Sequence, residues 1–299
     1  MIKVLACSER VIERVMGPPQ RGLVHSAFSS AANLVFPDAF LLSLNSLPPS
    51  IPQFDAREQQ ELAGAMLTAR PRCAGAERDA PLMPNGLLLT TRADMWPFRA
   101  LKVGMPVVLG AGWLLLETLF CSLDCRGCIR WNPRIERPAA LDIDLLRTQA
   151  GWLASFCQTH RPQAAGETPR CRDGETMLEL ATRICGRGPG LTPSGDDFLA
   201  GWLAAGWLLY GPRPAFLAIC QGINKIASQY THALSQCWLA YASAGDLAGP
   251  ICQLLTTLYN DQHTTLEHAA NNVLALGATS GYDLLQGLLY GIEQFPLEF

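Results

Sequence analysis

The spacing of hydrophobic and polar positions changes once along the chain. Up to about residue 135, short apolar runs alternate with turn residues: GLVHSAFSSAANLVF (22–36), Pro37-Asp38, AFLLSLNS (39–46), NGLLLTT (85–91) and GMPVVLGAGWLLLETLF (104–120). Runs this short, bounded by Gly, Pro, Asn and Asp, read as strands, and their succession predicts a meander or a small barrel. Between them AREQQELAGAMLTAR (56–70) has helical spacing, and PRCAGAERDAPLMPNG (71–86) reads as a loop with turn signals at both ends. From about residue 141 the apolar positions recur at three and four in DIDLLRTQAGWLASFCQTH, ETMLELATRIC, DDFLAGWLAAGWLL, PAFLAICQGINKIASQYTHALSQCWLAYASAG, AGPICQLLTTLYN, LEHAANNVLAL and YDLLQGLLYGI, which predicts a run of helices. The expected class is α+β, with a β-rich domain over 1–135, an all-helical domain over 141–299, and the charged, Pro-interrupted RIERPAA (134–140) as the linker.

Within the helical half one signature occurs twice. GLTPSGDDFLAGW (190–202) aligns with GATSGYDLLQGLL (277–289) at an offset of 86 (280 less 194), which pairs Ser194 with Ser280, Gly195 with Gly281, Asp197 with Asp283 and Gly201 with Gly287. Thr192 matches Thr279 once Pro193 is taken as an insertion. Each copy follows an apolar helix ended by a glycine, Gly186 or Gly277, so the unit is helix, glycine loop, helix, and two copies predict a pseudo-twofold pair of loops facing one space.

Ordinary helix capping explains part of the signature. Ser194 as N-cap with Asp197 three residues on is a capping box with Asp in place of Glu or Gln, and Ser280 with Asp283 repeats it. A cap requires neither GPG upstream, nor Thr192, nor two consecutive acids. Glycine backbone and hydroxyls at a helix start make an anion cradle, to which Gly190, Thr192, Ser194, Gly195, Thr279, Ser280 and Gly281 are assigned. Asp196 would repel an anion there. Two resolutions are open: Asp196 and Asp197 hold a divalent cation, or they orient an arginine or a substrate amide.

Composition narrows the classes. The chain has 299 residues, 49% hydrophobic and 16% charged, enough for a sizeable buried core. With 23 basic and 26 acidic residues and no block of like charge, it lacks the electrostatic footprint of a nucleic-acid binder. The opening stretch carries acids and no long apolar core, unlike a secretory signal, and FLAGWLAAGWLLY (198–210) is too short to span a bilayer, so the expected place is the cytoplasm. Eleven scattered cysteines fit reduced thiols. Cys121, Cys125 and Cys128 have a spacing seen in some iron–sulfur enzymes, but no βαβ series surrounds them and no fourth zinc ligand stands near, so they read as three incidental thiols. His25, on a polar-spotted strand with Ser26, Ser29, Ser30 and Asn33, is the histidine most suited to chemistry, and Thr231 and Ser235 would share one helix face beside His232. No P-loop, H-E-x-x-H or Ser-His-Asp order is present.

With GRGPGLTPSGDDFLAG, GATSGYDLLQGLL and GLVHSAFSSAANL together, the chain resembles a bacterial family long catalogued only as a domain of unknown function, one member of which is regarded as a subunit of oxamate carbamoyltransferase in anaerobic allantoin breakdown. The resemblance implies a cytoplasmic transferase subunit in purine catabolism that acts with other subunits, one similar to the acyl-CoA synthetase α chain. The reaction would move a carbamoyl group between oxamate and phosphate. Under it, Thr192, Ser194 and the Gly195 amide would hold an oxyanion of the small anionic substrate, and Asp196 would accept from its amino group. Asp196, Asp197 and His25 are then the catalytic candidates, with Asp283 and Asn33 among the substrate-binding ones. Two alternatives stand beside it. One is a metal-dependent hydrolase with Asp196, Asp197 and Asp283 as ligands to magnesium or manganese. The other is a non-catalytic scaffold, in keeping with a mean hydropathy of +0.13.

Overall fold

Most of the expected strands form one continuous ladder. A computed structural model describes residues 1–47, 83–92, 100–163, 165–260 and 263–295; the helix expected over 56–70, and the following loop as far as residue 82, lie outside them. The chain divides into two units, Met1–Pro133 with Ala248–Pro250, and Arg134–Leu247 with Ile251–Phe299. In the first, β1 (Ile2–Ser8), β2 (Gln20–Ala27), β3 (Ala31–Val35), β4 (Leu41–Leu47), β5 (Gly86–Arg92), β6 (Pro106–Gly110), β7 (Trp113–Leu116), β8 (Cys121–Asp124) and β9 (Ile129–Trp131) make a nine-stranded sheet. The short helix α1 (Ile12–Met16) follows β1.

The sheet closes because β1 is paired on both edges. It runs antiparallel to β5 (Val4 opposite Leu89) and parallel to β8 (Ile2 opposite Leu123) and then β9 (Ala6 opposite Ile129). The result is an eight-stranded barrel with no free edge among those strands, and β9 extending the seam. Leu34, Leu42, Leu44, Leu87, Leu89 and Leu114 fill its core, all fully buried, at roughly 1.5 to 3 kcal/mol of burial each.

The β2–β3 register slips by one residue between Val24 and Ser26, a bulge at His25. The slip sets Ser26 opposite Asn33, and a buried polar ladder follows. Asn33 Nδ2 donates to Ser26 Oγ at 3.0 Å, and Ser43 Oγ donates to Asn33 Oδ1 at 2.7 Å.

The second unit is helical: α2 (Ile143–Thr159), α3 (Met177–Ile184), α4 (Ser194–Tyr210), α5 (Pro214–Tyr230), α6 (Ala233–Ser243), α7 (Gly249–Leu258), α8 (His263–Leu274) and α9 (Ser280–Gln294). The segment 134–140, read as a linker, is bound into this unit. Arg134 pairs with Asp246 at 3.0 Å, and Arg137 donates from Nε and Nη2 to the Leu208 and Leu209 carbonyls at 2.8 Å, capping the end of α4.

α4 is apolar all round and buried along nearly its whole length, as a central helix must be. Its main partner is α9, and the two approach backbone to backbone. A Cβ on Gly201 would lie 1.9 Å from the Leu284 carbonyl oxygen, and a Cβ on Gly287 would lie 1.9 Å from that of Phe198. The two contacts are related by the repeat offset, since Phe198 and Leu284 are themselves equivalent. Only glycine permits this crossing.

The single helix expected from Pro214 to about residue 245 is broken. α5 stops at Tyr230, Thr231 and His232 are extended, and α6 begins at Ala233, so Thr231 and Ser235 do not share a helix face. The break has a long-range cause: the Thr231 hydroxyl donates to Asp196 Oδ2 at 2.5 Å, and the Tyr230 carbonyl oxygen occupies the space where Gly186 lacks a Cβ.

Gly287→Ala should lower stability by about 2 to 4 kcal/mol, because the obstacle is backbone and cannot rotate away. Gly151→Ala, in the middle of α2 with nothing within 4 Å of the added methyl, should stabilise by about 0.5 to 1 kcal/mol. Thermal melting of both variants checks the pair; equal melting temperatures would contradict the crossing.

Candidate functional site

The two glycine loops meet. Thr192 Oγ1 lies 2.8 Å from Ser280 Oγ, 88 residues away, so the doubled signature forms one cluster at the starts of α4 and α9. Each loop closes against the helix before it. A Cβ on Gly195 would strike the Ile184 carbonyl oxygen at 2.0 Å, and one on Gly281 the Val273 carbonyl oxygen at 1.9 Å.

Neither serine is a cap. α4 begins at Ser194 with Pro193 in the N-cap position, and the Pro193 carbonyl accepts the N–H groups of Asp196 at 2.8 Å and Asp197 at 3.1 Å. α9 begins at Ser280, and the Thr279 side chain makes no cap bond. The expected capping boxes are therefore absent, because each helix starts one residue early and turns its serine into the first helical residue. The amide cradle is also corrected. Gly195 N–H donates to the Arg187 carbonyl at 3.1 Å and Gly281 N–H to that of Leu276 at 2.9 Å, so both are spent on closing the loops. Gly190 sits on the exposed crest, with nothing within 4 Å of a Cβ.

The two adjacent acids diverge. Asp196, 3% exposed, takes the Gly186 N–H at 2.8 Å on Oδ1 and the Thr231 hydroxyl at 2.5 Å on Oδ2. Both its oxygens are thereby committed to fastening the first loop and the α5–α6 break. Asp197 points instead to the junction of the loops, where Asp283 stands in the equivalent place; they are 7% and 8% exposed.

At the junction the serines cross between the repeats and the threonines do not. Ser280 and Thr192 serve Asp197, while Ser194 and Thr279 serve Asp283. One oxygen of each carboxyl, Oδ2 in both cases, is buried and has no hydrogen-bond partner among the described residues. Leaving such an atom unpaired costs about 1 to 3 kcal/mol.

Burial pushes the Asp197 carboxyl up to about 8, with the hydroxyls of Ser280 and Thr192 pulling the other way and the charge of Asp283 adding to the rise. Burial raises Asp283 as well, against hydrogen bonding from Ser194 and Thr279. Near neutral pH Asp197 holds its proton. The junction then offers an O–H donor from Asp197 together with carboxyl acceptor atoms, framed by four hydroxyls.

Of the other sequence-predicted residues, His25 and Asn33 stand on β2 and β3 of the barrel unit. His25 Nδ1 lies 3.4 Å from Ser26 Oγ, and both ends of the Asn33 amide are used in the ladder. Among the described residues no group of three or more His, Cys, Asp or Glu has a metal-holding arrangement. Sequence reasoning missed Thr231 as the partner of Asp196 and the crossing of serine to the opposite acid. The equal offsets of Ser194, Ser280, Asp197 and Asp283 carried the second signal; nothing local carried the first.

No helix of the described residues is long and apolar enough to cross a membrane. No solved structure matches the chain. Residues 184–292, which run from the end of α3 into α9 and contain both loops, match the family described as oxamate carbamoyltransferase subunit AllH.

Proposed function

We propose that the chain serves an oxamate carbamoyltransferase by holding the amide end of its small substrate at the junction of the two loops. The observation that carries this reading is the pair of buried carboxyl groups, Asp197 and Asp283, each with one unpartnered oxygen. A primary amide presents a carbonyl acceptor beside an amino donor. A protonated carboxyl beside an accepting carboxyl oxygen presents the complement. The Asp197 O–H would donate to the substrate carbonyl, and Asp283 would accept from the amino group. Oxamate and carbamoyl phosphate, which stand on the same side of the transfer, both carry an amino group on a carbonyl carbon, so the junction would hold one of the two while the other binds beside it.

A proton on Asp197 also removes the repulsion that an ionised acid would exert on an anionic substrate. The Thr192, Ser194, Thr279 and Ser280 hydroxyls hold the two acids in place. Donors fixed before the reaction stabilise charge that develops on the carbamoyl oxygen during transfer. In this assignment Asp196 moves from a catalytic candidate to a positioning role, because both its oxygens are taken. That also removes one of the three acids a metal-dependent hydrolase would need. The other subunits, including one like the acyl-CoA synthetase α chain, and the place in allantoin breakdown follow from the resemblance and belong to the same proposal.

In the reconstituted complex, Asp197→Asn and Asp283→Asn should each lower kcat/KM for carbamoyl transfer between oxamate and phosphate by about 100-fold or more while the subunit melts no lower than wild type. Turnover within twofold of wild type for both would end the proposal. Asp196→Asn should instead act on the fold, costing about 1 to 3 kcal/mol in thermal melting through loss of the Gly186 and Thr231 bonds.

The proton on Asp197 has its own signature. Its carboxyl titrates higher in the fold than in the unfolded chain, so the fold binds a proton more tightly and loses stability as pH rises from about 4 to about 8. This group contributes a slope of up to about 1.4 kcal/mol per pH unit. Asp197→Asn should flatten that part of the profile and gain on wild type towards pH 8, as denaturant unfolding at several pH values will read; identical profiles would mean that Asp197 is ionised in the fold.

A further inference from the structure

The second feature of the molecule with reactive chemistry lies in the barrel unit, at the seam where β1 meets β9. Sequence spacing grouped Cys121 with Cys125 and Cys128, and the fold regroups them. Cys121 opens β8 and Cys125 follows its last residue, which puts the length of the strand between them. In place of Cys121 comes Cys7, near the end of β1. The parallel β1–β9 register sets Cys7 opposite Arg130, two residues past Cys128. Cys7, Cys125 and Cys128 pack in one apolar cluster, in which Cys7 and Cys125 are fully buried and Cys128 is only partly covered.

The Cys7 thiol donates to the Ser8 carbonyl at 3.4 Å, and its sulfur neighbours that of Cys128. That neighbour, with help from the backbone and the Arg130 charge and against burial, holds the Cys128 thiol below its ordinary range, whereas the same contact and burial push Cys7 up. Burial raises Cys125, Cys157, Cys185 and Cys220 to about 12. Cys128 thus combines partial access, a charge partner and a second sulfur at hand, the setting in which a thiol reacts with oxidants.

We propose that Cys128 is a peroxide-reactive thiol and that Cys7 resolves it, giving a Cys7–Cys128 disulfide across the β1–β9 seam. The Cys128 thiolate attacks one oxygen of hydrogen peroxide, the O–O bond breaks, and the departing hydroxide takes up a proton as water, leaving Cys128 as a sulfenic acid. The Cys7 sulfur then attacks the Cys128 sulfur. The S–O bond breaks, the S–S bond forms, and the hydroxyl leaves with the Cys7 proton as a second water. Two thiols are oxidised by two electrons and one peroxide is reduced.

The test treats the full chain with equimolar hydrogen peroxide and maps its peptides without reduction. A linked pair of peptides containing Cys7 and Cys128, lighter by two hydrogens than their sum, is the expected product. Cys7→Ser should stop the reaction at a sulfenic acid on Cys128, trapped by dimedone, and Cys128→Ser should leave Cys7 unmodified. Because Cys7 is fully buried and its variant could misfold, alkylation of the reduced wild-type chain by iodoacetamide at pH 7 gives an independent reading, with Cys128 expected to react about tenfold faster than Cys121. A Cys125–Cys128 link, no link at all, or Cys128 reacting no faster than Cys121 would each overturn the proposal.

Discussion

Two carbonyl oxygens and two missing methyl groups set the geometry of the helical unit. Gly201 receives the Leu284 carbonyl and Gly287 receives that of Phe198, so α4 and α9 cross at backbone contact instead of at side-chain distance. The crossing brings the first turns of both helices together, and with them the loops that precede those turns. Without it Thr192 and Ser280 would not be 2.8 Å apart, and Asp197 and Asp283 would not face a common junction. Burial at the junction is the physical source of the raised carboxyl of Asp197, since desolvation is the largest influence on it.

Acids at the start of a helix are ordinary, because they suit the positive end of the helix dipole. Here the usual benefit is divided. Asp196 takes a backbone N–H and a hydroxyl and acts as a fastener between the loop and the α5–α6 break. Asp197, one residue on and about 100° round the helix, is turned to the junction and left with an unpaired oxygen. A buried carboxyl in that state is unfavourable when ionised. The fold resolves the cost by keeping the proton, which makes the acid a hydrogen-bond donor. Charge and burial at this site are therefore one linked quantity.

The barrel unit is governed by a different constraint, closure. An open sheet of these strands would expose backbone along its edges, and β1 removes both edges by pairing with β5 on one side and with β8 and β9 on the other. The same seam assembles Cys7 with Cys125 and Cys128. The bulge at His25 has a comparable local effect, since a one-residue slip turns Ser26 onto the face of Asn33 and lets three strands share a polar ladder.

The α+β class, the strands of the barrel and most of the helices were legible in the residues alone, because periods of two and of three to four are local consequences of how backbone and side chains project. The repeat was legible too, and with it the equivalence of Ser194 with Ser280 and Asp197 with Asp283. The end of α5 was not. The apolar spacing runs on through Thr231 and His232, and the chain breaks there only because Asp196, far away in sequence, draws the Thr231 hydroxyl. The same is true of the caps and the amide cradle, since local rules place a serine before the helix and leave its amides free, whereas the tight return onto Ile184 and Val273 consumes them. Nor does spacing reveal that Cys7 replaces Cys121 beside Cys128. Residue order determined which groups stand at the loops; long-range contact decided which of them keep a free hydrogen-bonding atom, because that depends on what the rest of the chain brings within three ångströms.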